Sequence, residues 1–195
     1  QGSLGGLAAK AQTVGDVIAA SGKDIIIFET VGVGQGEYDV IKAVDLTIVV
    51  LVPEAGDEIQ LMKAGLIEVA DLFVINKSDR DGADRLFKSL TTMLHTVFNK
   101  NNILPSVFST SADRDVGIHK LYNGINEYFK FLNENDLFNK RRLDRYRSRV
   151  LNLVKNDLIK GFWTEERKEK LDKATSNLKS TNISPHKLAE KLLAL

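Results

Sequence analysis

Apolar positions along the chain follow two alternating rhythms. Asp24-Ile25-Ile26-Ile27-Phe28-Glu29-Thr30, the run 45–52, Leu72-Phe73-Val74-Ile75 and the run 106–110 are short and almost continuously apolar. Such runs, bounded by polar or turn residues, predict strands buried on both faces. Between them the spacing changes to three and four. Leu7, Ala11, Val14 and Ile18 share one face of a helix predicted over 7–20, which Ser21-Gly22 ends. Helix is also predicted over 57–69. Ala83, Leu86, Phe87, Leu90, Met93, Leu94 and Val97 form a stripe over 82–98, and Ile118, Leu121, Ile125, Tyr128 and Leu132 form another over 115–132. Strands alternating with helices argue an α/β fold, a parallel sheet of right-handed βαβ units with flanking helices.

After Asn133-Glu134-Asn135-Asp136 the strand-like runs cease. The reading is two parts, 1–136 and a helical arm over 137–195. In the arm, Leu143, Tyr146, Val150 and Leu153 resemble a helix seam, but Asp157 takes the next seam position, so a long coiled coil is not supported. A further helix is predicted over 164–179, and a last one begins at Ser184-Pro185, an N-cap followed by proline at the first helical position. Charge divides in the same place. Residues 138–195 hold 15 Lys or Arg against 7 Asp or Glu, leaving 12 against 19 in residues 1–137. A basic helical tail reads first as a solvated surface.

Composition narrows the class. Of 195 residues, 43% are hydrophobic and 27% charged, with a net charge of +1, as in soluble globular proteins. Cysteine is absent, which removes disulfides and thiolate metal sites and fits a reducing compartment. No run approaches the roughly 18 apolar residues of a membrane span, and Gln1-Gly2-Ser3-Leu4-Gly5-Gly6 has neither a signal core nor an Arg-rich transit pattern. The expectation is a soluble, cytoplasmic protein without a nucleic-acid or membrane partner.

The sharpest chemical signal is Asn76-Lys77-Ser78-Asp79, an N-K-x-D pattern directly after the strand 72–75. The C-terminal ends of parallel strands are where such sheets bind ligands. A carboxylate at Asp79 can accept from both N1–H and the exocyclic amine of guanine. Adenine presents an acceptor at N1 and lacks that amine, so the same carboxylate would lose its partners. The Lys77 stem can lie along the purine face, and the Asn76 amide can bridge to neighbouring loops.

Two further strand ends carry signals. Glu29-Thr30-Val31-Gly32 follows the first strand, 47 residues before Asn76. An acidic residue there can orient Mg²⁺ through water, and a glycine three residues on can bring a backbone N–H to a γ-phosphate without obstruction. Ser109-Thr110-Ser111-Ala112 follows the last strand, where a Ser-Ala turn can aim backbone N–H groups at guanine O6. Each alone is a common turn; in this order they form a joint pattern. His95, His119 and His186 stand in separate helical segments with no partner at ligand spacing, and Trp163 beside Phe162 reads as a packing anchor.

Phe28-Glu29-Thr30-Val31-Gly32-Val33-Gly34-Gln35 and Pro53-Glu54-Ala55-Gly56-Asp57-Glu58-Ile59-Gln60 together resemble the MeaB/ArgK (MMAA-type) P-loop GTPases, which carry glutamate in place of the usual switch aspartate. Gly2-Ser3-Leu4-Gly5-Gly6-Leu7-Ala8 is similar to that family's segment ahead of the switch strand, and Arg141-Arg142 and Phe162-Trp163 resemble its arm more loosely. The resemblance implies a partial P-loop NTPase fold followed by an α-helical arm, with GTP or GDP and Mg²⁺ as cofactors. It implies a GTPase that assists cofactor loading and protection of an adenosylcobalamin-dependent acyl-CoA mutase, methylmalonyl-CoA mutase in most members, and homodimerisation through the arm. Glu29 would help position Mg²⁺, residues 32–38 would be a switch, and 53–63 would couple nucleotide state to the mutase. Asn76, Lys77, Asp79, Ser111 and Ala112 would bind the base.

The departures from that pattern carry expectations too. No G-x-x-x-x-G-K-[ST] occurs in these 195 residues; Gly22-Lys23 is followed by Asp24. Without that loop there is no N–H cradle for phosphate and no Ser/Thr ligand for Mg²⁺. The chain therefore reads as a fragment that starts within the family pattern, expected to bind nucleotide poorly and hydrolyse GTP negligibly by itself. Val33 follows Gly32 where a water-orienting glutamine usually stands, which leaves Gln35 and Glu37 as candidates for that role. Two rival readings are a metal-insertion GTPase of the hydrogenase or urease maturation kind, disfavoured by the absent cysteines and scattered histidines, and a non-enzymatic interaction module with a vestigial nucleotide site.

Overall fold

The computed structural model describes residues 6–30, 41, 43–53, 66–98, 103–176 and 183–194. Gly32, Gln35, Glu37, the whole of 32–38 and all of 53–63 except Pro53 lie outside the described residues. The chain divides into two compact units, Gln1–Arg142 and Leu143–Leu195.

In the first unit the described elements are α1 (Gly6–Ala20), β1 (Ile48–Leu51), α2 (Leu66–Val69), β2 (Leu72–Ile75), α3 (Ala83–Val97), β3 (Ser106–Ser109) and α4 (Ile118–Glu134). Helix α5 (Leu137–Phe162) begins in this unit. The three strands pair in parallel in the order β1-β2-β3, with Ile48 opposite Leu72 and Leu72 opposite Ser106. The continuous apolar run of β2 is explained by its central place: all four of its residues are buried. Leu86, Leu90 and Leu94 of α3 recur every four residues and close over Phe73 and Ile75, with Leu51, Ile67, Ala70 and Ala83 completing the core. Phe87 and Met93 pack at its margin, while Val97, expected on the same stripe, faces outward. On α4, Gly124 is buried because the Phe108 ring of β3 fills the space where its side chain would stand.

Two expectations are corrected here. Residues 24–30 form no strand: Ile25 and Ile27 are 79% and 87% exposed, not buried on both faces. Apolar side chains meet only half of what a strand requires. Its backbone N–H and C=O groups must also find a neighbouring strand, and none of the described strands pairs with 24–30. On α1, Val14 and Ile18 are exposed, and among its positions of described burial the buried one is Gly15, which the Phe28 ring covers. Of the helix expected over 57–69, the described residues hold only α2.

The second unit holds the rest of α5, then α6 (Glu165–Ala174) and α7 (Pro185–Leu193). Thr164 caps α6 by accepting from the Arg167 N–H, and Ser184 caps α7 by accepting from that of Lys187. Arg167 ties the unit together. It donates to the carbonyls of Phe162 at 2.9 Å and Leu192 at 3.2 Å, and its guanidinium lies 4.6 Å from the Phe162 ring centre. Phe162 and Trp163 meet edge-to-face at 5.1 Å. The seam residues of α5 are uncovered: Leu143, Tyr146, Val150 and Leu153 are 41–71% exposed. Among the described residues no helix is long and apolar enough to cross a membrane.

Candidate functional site

The C-terminal ends of β2 and β3 are stitched into one surface by the backbone. Beyond the last β2 residue, the Asn76 N–H donates to the Leu51 carbonyl at 2.8 Å, and the Thr110 N–H donates to that of Ile75 at 2.9 Å. The Ser78 N–H then returns to the Thr110 carbonyl at 2.9 Å. Between these anchors Lys77 adopts a left-handed conformation with φ 56°. A non-glycine residue is held there at some strain, which persists because the bonds on either side fix the turn.

Side chains complete the junction. The Asn76 Oδ1 accepts from the Thr110 hydroxyl at 3.2 Å and from the Ala112 N–H at 3.1 Å. The Asp79 Oδ1 accepts from the Ser111 hydroxyl at 2.5 Å, and its Oδ2 pairs with Arg114 Nη2 at 2.9 Å. Asp113 also lies 3.0 Å from the Ser111 hydroxyl, which has one proton to give; the shorter contact to Asp79 takes it. Thr110 and Ser111 are 2% and 1% exposed, so this polar seam is inside the fold. The Asp79 side chain is 19% exposed at its edge. The Ser111 hydrogen bond, with lesser help from the Asp79 backbone and Arg114, holds its carboxyl below the ordinary 3.8. Near neutrality Asp79 is an ionised double acceptor.

The loop after β3 is fixed as firmly as the turn after β2. Ser111 and Val116 exchange N–H···O bonds of 3.0 and 3.1 Å, and the Arg114 N–H donates to the Ser111 carbonyl at 3.0 Å. Residues 112–114 make one 3₁₀ turn, and Asp115 and Gly117 take left-handed φ of 55° and 77°. Gly117 is required twice over: its φ disfavours a side chain, and a Cβ there would run into the Ser109 carbonyl oxygen.

The structure thus brings Asn76, Asp79, Ser111 and Ala112 into one hydrogen-bonded cluster, with Lys77 in the turn that carries it. Glu29 stands apart. It is exposed, in the unpaired segment, and has no hydrogen-bond or ion-pair partner among the described residues. Gly32, Gln35 and Glu37 lie outside the described residues. Sequence reasoning missed three contributors. Thr110 was legible as the polar end of an apolar run and Gly117 as a turn residue before the Ile118 stripe. Arg114 gave no signal.

A second cluster, unforeseen from sequence, closes the opposite end of β2. The Asp71 Oδ1 accepts from the Tyr128 hydroxyl at 2.5 Å and from Arg141 Nη1 at 2.9 Å, and its Oδ2 accepts from the Thr47 N–H at 2.9 Å. Burial first, and the bond to Asp71 second, push the Tyr128 hydroxyl up to about 12. The carboxylate ties β1, α4 and the root of α5 to the end of β2, away from the candidate site.

Known proteins resemble this chain over most of its length. Residues 1–167 match the family described as methylmalonyl Co-A mutase-associated GTPase MeaB. A Pyrococcus abyssi protein provisionally named a GTPase is 34% identical over 196 residues, which cover 99% of this chain and 60% of that protein. The mouse protein named methylmalonic aciduria type A homolog, mitochondrial, is 32% identical over 198 residues, 98% of this chain and 48% of the relative. The GTPase ArgK of Escherichia coli is 36% identical over 133 residues, covering 65% of this chain and 40% of the relative. In each case the chain spans less than two thirds of the relative's length. A match through residue 167 takes in the whole sheet, the Asn76–Asp79 turn and the Ser111 loop, and the chain belongs to the MeaB family.

Proposed function

We propose that this chain supplies the base-recognition half of a GTP-binding site. The protein that contains it would be a GTPase assisting an adenosylcobalamin-dependent acyl-CoA mutase, methylmalonyl-CoA mutase by the family's description. One observation carries the reading: the Asn76–Asp79 turn and the Ser111-Ala112 loop are a single hydrogen-bonded unit with an ionised, partly open carboxylate at its rim. That arrangement suits guanine. Asp79 accepts from N1–H and the 2-amino group, the Lys77 stem covers a ring face, and Asn76 keeps both loops in register. When bound, GTP would supply the phosphoanhydride to be hydrolysed; what these residues do is select and orient the base.

Mg²⁺ finds less support. Glu29 offers one exposed carboxylate, and no group of three His, Cys, Asp or Glu side chains among the described residues could hold a metal. These residues do not by themselves make a site for the ion. Self-association through the arm is part of the proposal, supported by the uncovered α5 seam. A cytoplasmic setting is supported by the absence of cysteine.

The test is co-sedimentation of the purified chain with methylmalonyl-CoA mutase, with a nickel enzyme as the control. Association with the mutase alone is expected. Association with neither, together with equal displacement of a fluorescent guanine nucleotide by GDP and ADP, would remove the proposal.

A further inference from the structure

The loop 111–117 places two donors on one carboxylate, one on each oxygen. Ser111 reaches Asp79 Oδ1 from a buried position, and Arg114 reaches Oδ2 from the surface. The two are not equivalent. Ser111 is 1% exposed and pinned by reciprocal backbone bonds to Val116, so its contact belongs to the fold. The Arg114 side chain is 63% exposed and holds Asp79 through a single nitrogen. Its backbone, however, is fixed by the N–H bond to the Ser111 carbonyl in the 3₁₀ turn, which keeps the root of the side chain beside Asp79.

Resting on the guanine reading above, we propose that Arg114 is a resident competitor at the purine-selecting carboxylate. Its N–H presents to Asp79 Oδ2 the same kind of donor that a guanine amine would present. A base that takes both oxygens must displace this bond or share the oxygen with a cation that already draws on its charge. The contact is weak enough to be displaced, because an exposed ion pair contributes little in water. Guanine can break it, since it replaces one charge-assisted bond with two hydrogen bonds and covers the ring. A base that offers no paired donors gains nothing from Asp79 and leaves Arg114 in place. The arginine thus lowers affinity chiefly for guanine, which must displace it, and little for bases that leave it in place, so it restrains both tightness and selection at this carboxylate.

The competition is electrostatic while a nucleoside is neutral, which separates it from any effect on phosphate. Guanosine and adenosine binding to the 195-residue chain would be followed by NMR titration for the natural sequence, Arg114→Ala and Arg114→Gln. Salt would be varied from on the order of 0.02 M to 0.5 M. Both variants are expected to bind guanosine about two- to fivefold more tightly, with adenosine gaining less. Added salt should tighten guanosine binding to the natural chain and leave the variants unchanged. Equal or weaker guanosine binding in both variants would overturn the competitor role while leaving the base-selecting cluster intact. If no form of the chain prefers guanosine to adenosine, the guanine reading itself fails and the role of Arg114 falls with it.

Discussion

The side-chain oxygen of Asn76 and the backbone N–H of Ala112 lie 3.1 Å apart, joining two motifs 36 residues apart in the chain. The same oxygen also accepts from the buried Thr110 hydroxyl. Asn76 is therefore as much a structural brace as a ligand-facing residue: it sets the spacing at which Asp79 and the Ser111 loop meet.

Replacing Asn76 by alanine should leave the Thr110 hydroxyl and the Ala112 N–H without their acceptor. An unsatisfied buried polar group costs about 1–3 kcal/mol, and for a chain of this size each kcal/mol lowers Tm by about 2–4 °C. Thermal unfolding followed by circular dichroism should show a loss of that order. An unchanged Tm would mean that the brace contributes nothing.

Tyr128 should titrate late. Its folded value is raised from 10.0 to about 12, by burial first and by its bond to Asp71 second. The sign follows: the cluster's contribution to stability is complete below pH 10 and is lost as the pH rises from 10 to about 12. Ultraviolet titration should find one of the four tyrosines ionising near 12, and Asp71→Ala should move it down toward 10. Four tyrosines titrating together near 10 would contradict the cluster.

The uncovered seam of α5 should govern self-association. Leu153 is 55% exposed, so an aspartate there leaves the fold of the chain intact. Sedimentation equilibrium should show that Leu153→Asp shifts a concentration-dependent dimer to monomer. The same mass for both proteins at every concentration would remove the arm from the proposal.

Much of the frame was legible in the sequence because its signals are local. The run Leu72–Ile75 is apolar at every position since the strand is buried on both faces, and the four-residue recurrence of Leu86, Leu90 and Leu94 faces that strand. The N-K-x-D turn could be read because it follows such a run directly. What escaped depends on partners distant in sequence. Asp71 looks like any strand-start residue until Tyr128 and Arg141 arrive from 57 and 70 residues away. Arg114 is one basic residue among many until the turn at Asp115 and Gly117 carries it onto Asp79. Residues 24–30 show the reverse error: their side chains satisfy the strand pattern, but ladder partners cannot be read from one segment.

The most direct measurement is the base preference of the chain before and after Asp79→Asn. The natural carboxylate accepts from two donors, so guanosine should bind best, inosine, which lacks the 2-amino group, less well, and adenosine least. An asparagine amide can accept from N1–H and donate to a carbonyl at position 2, so Asp79→Asn should lose guanosine preference by about tenfold or more and gain xanthosine. An order of bases that Asp79→Asn leaves unchanged would contradict the account.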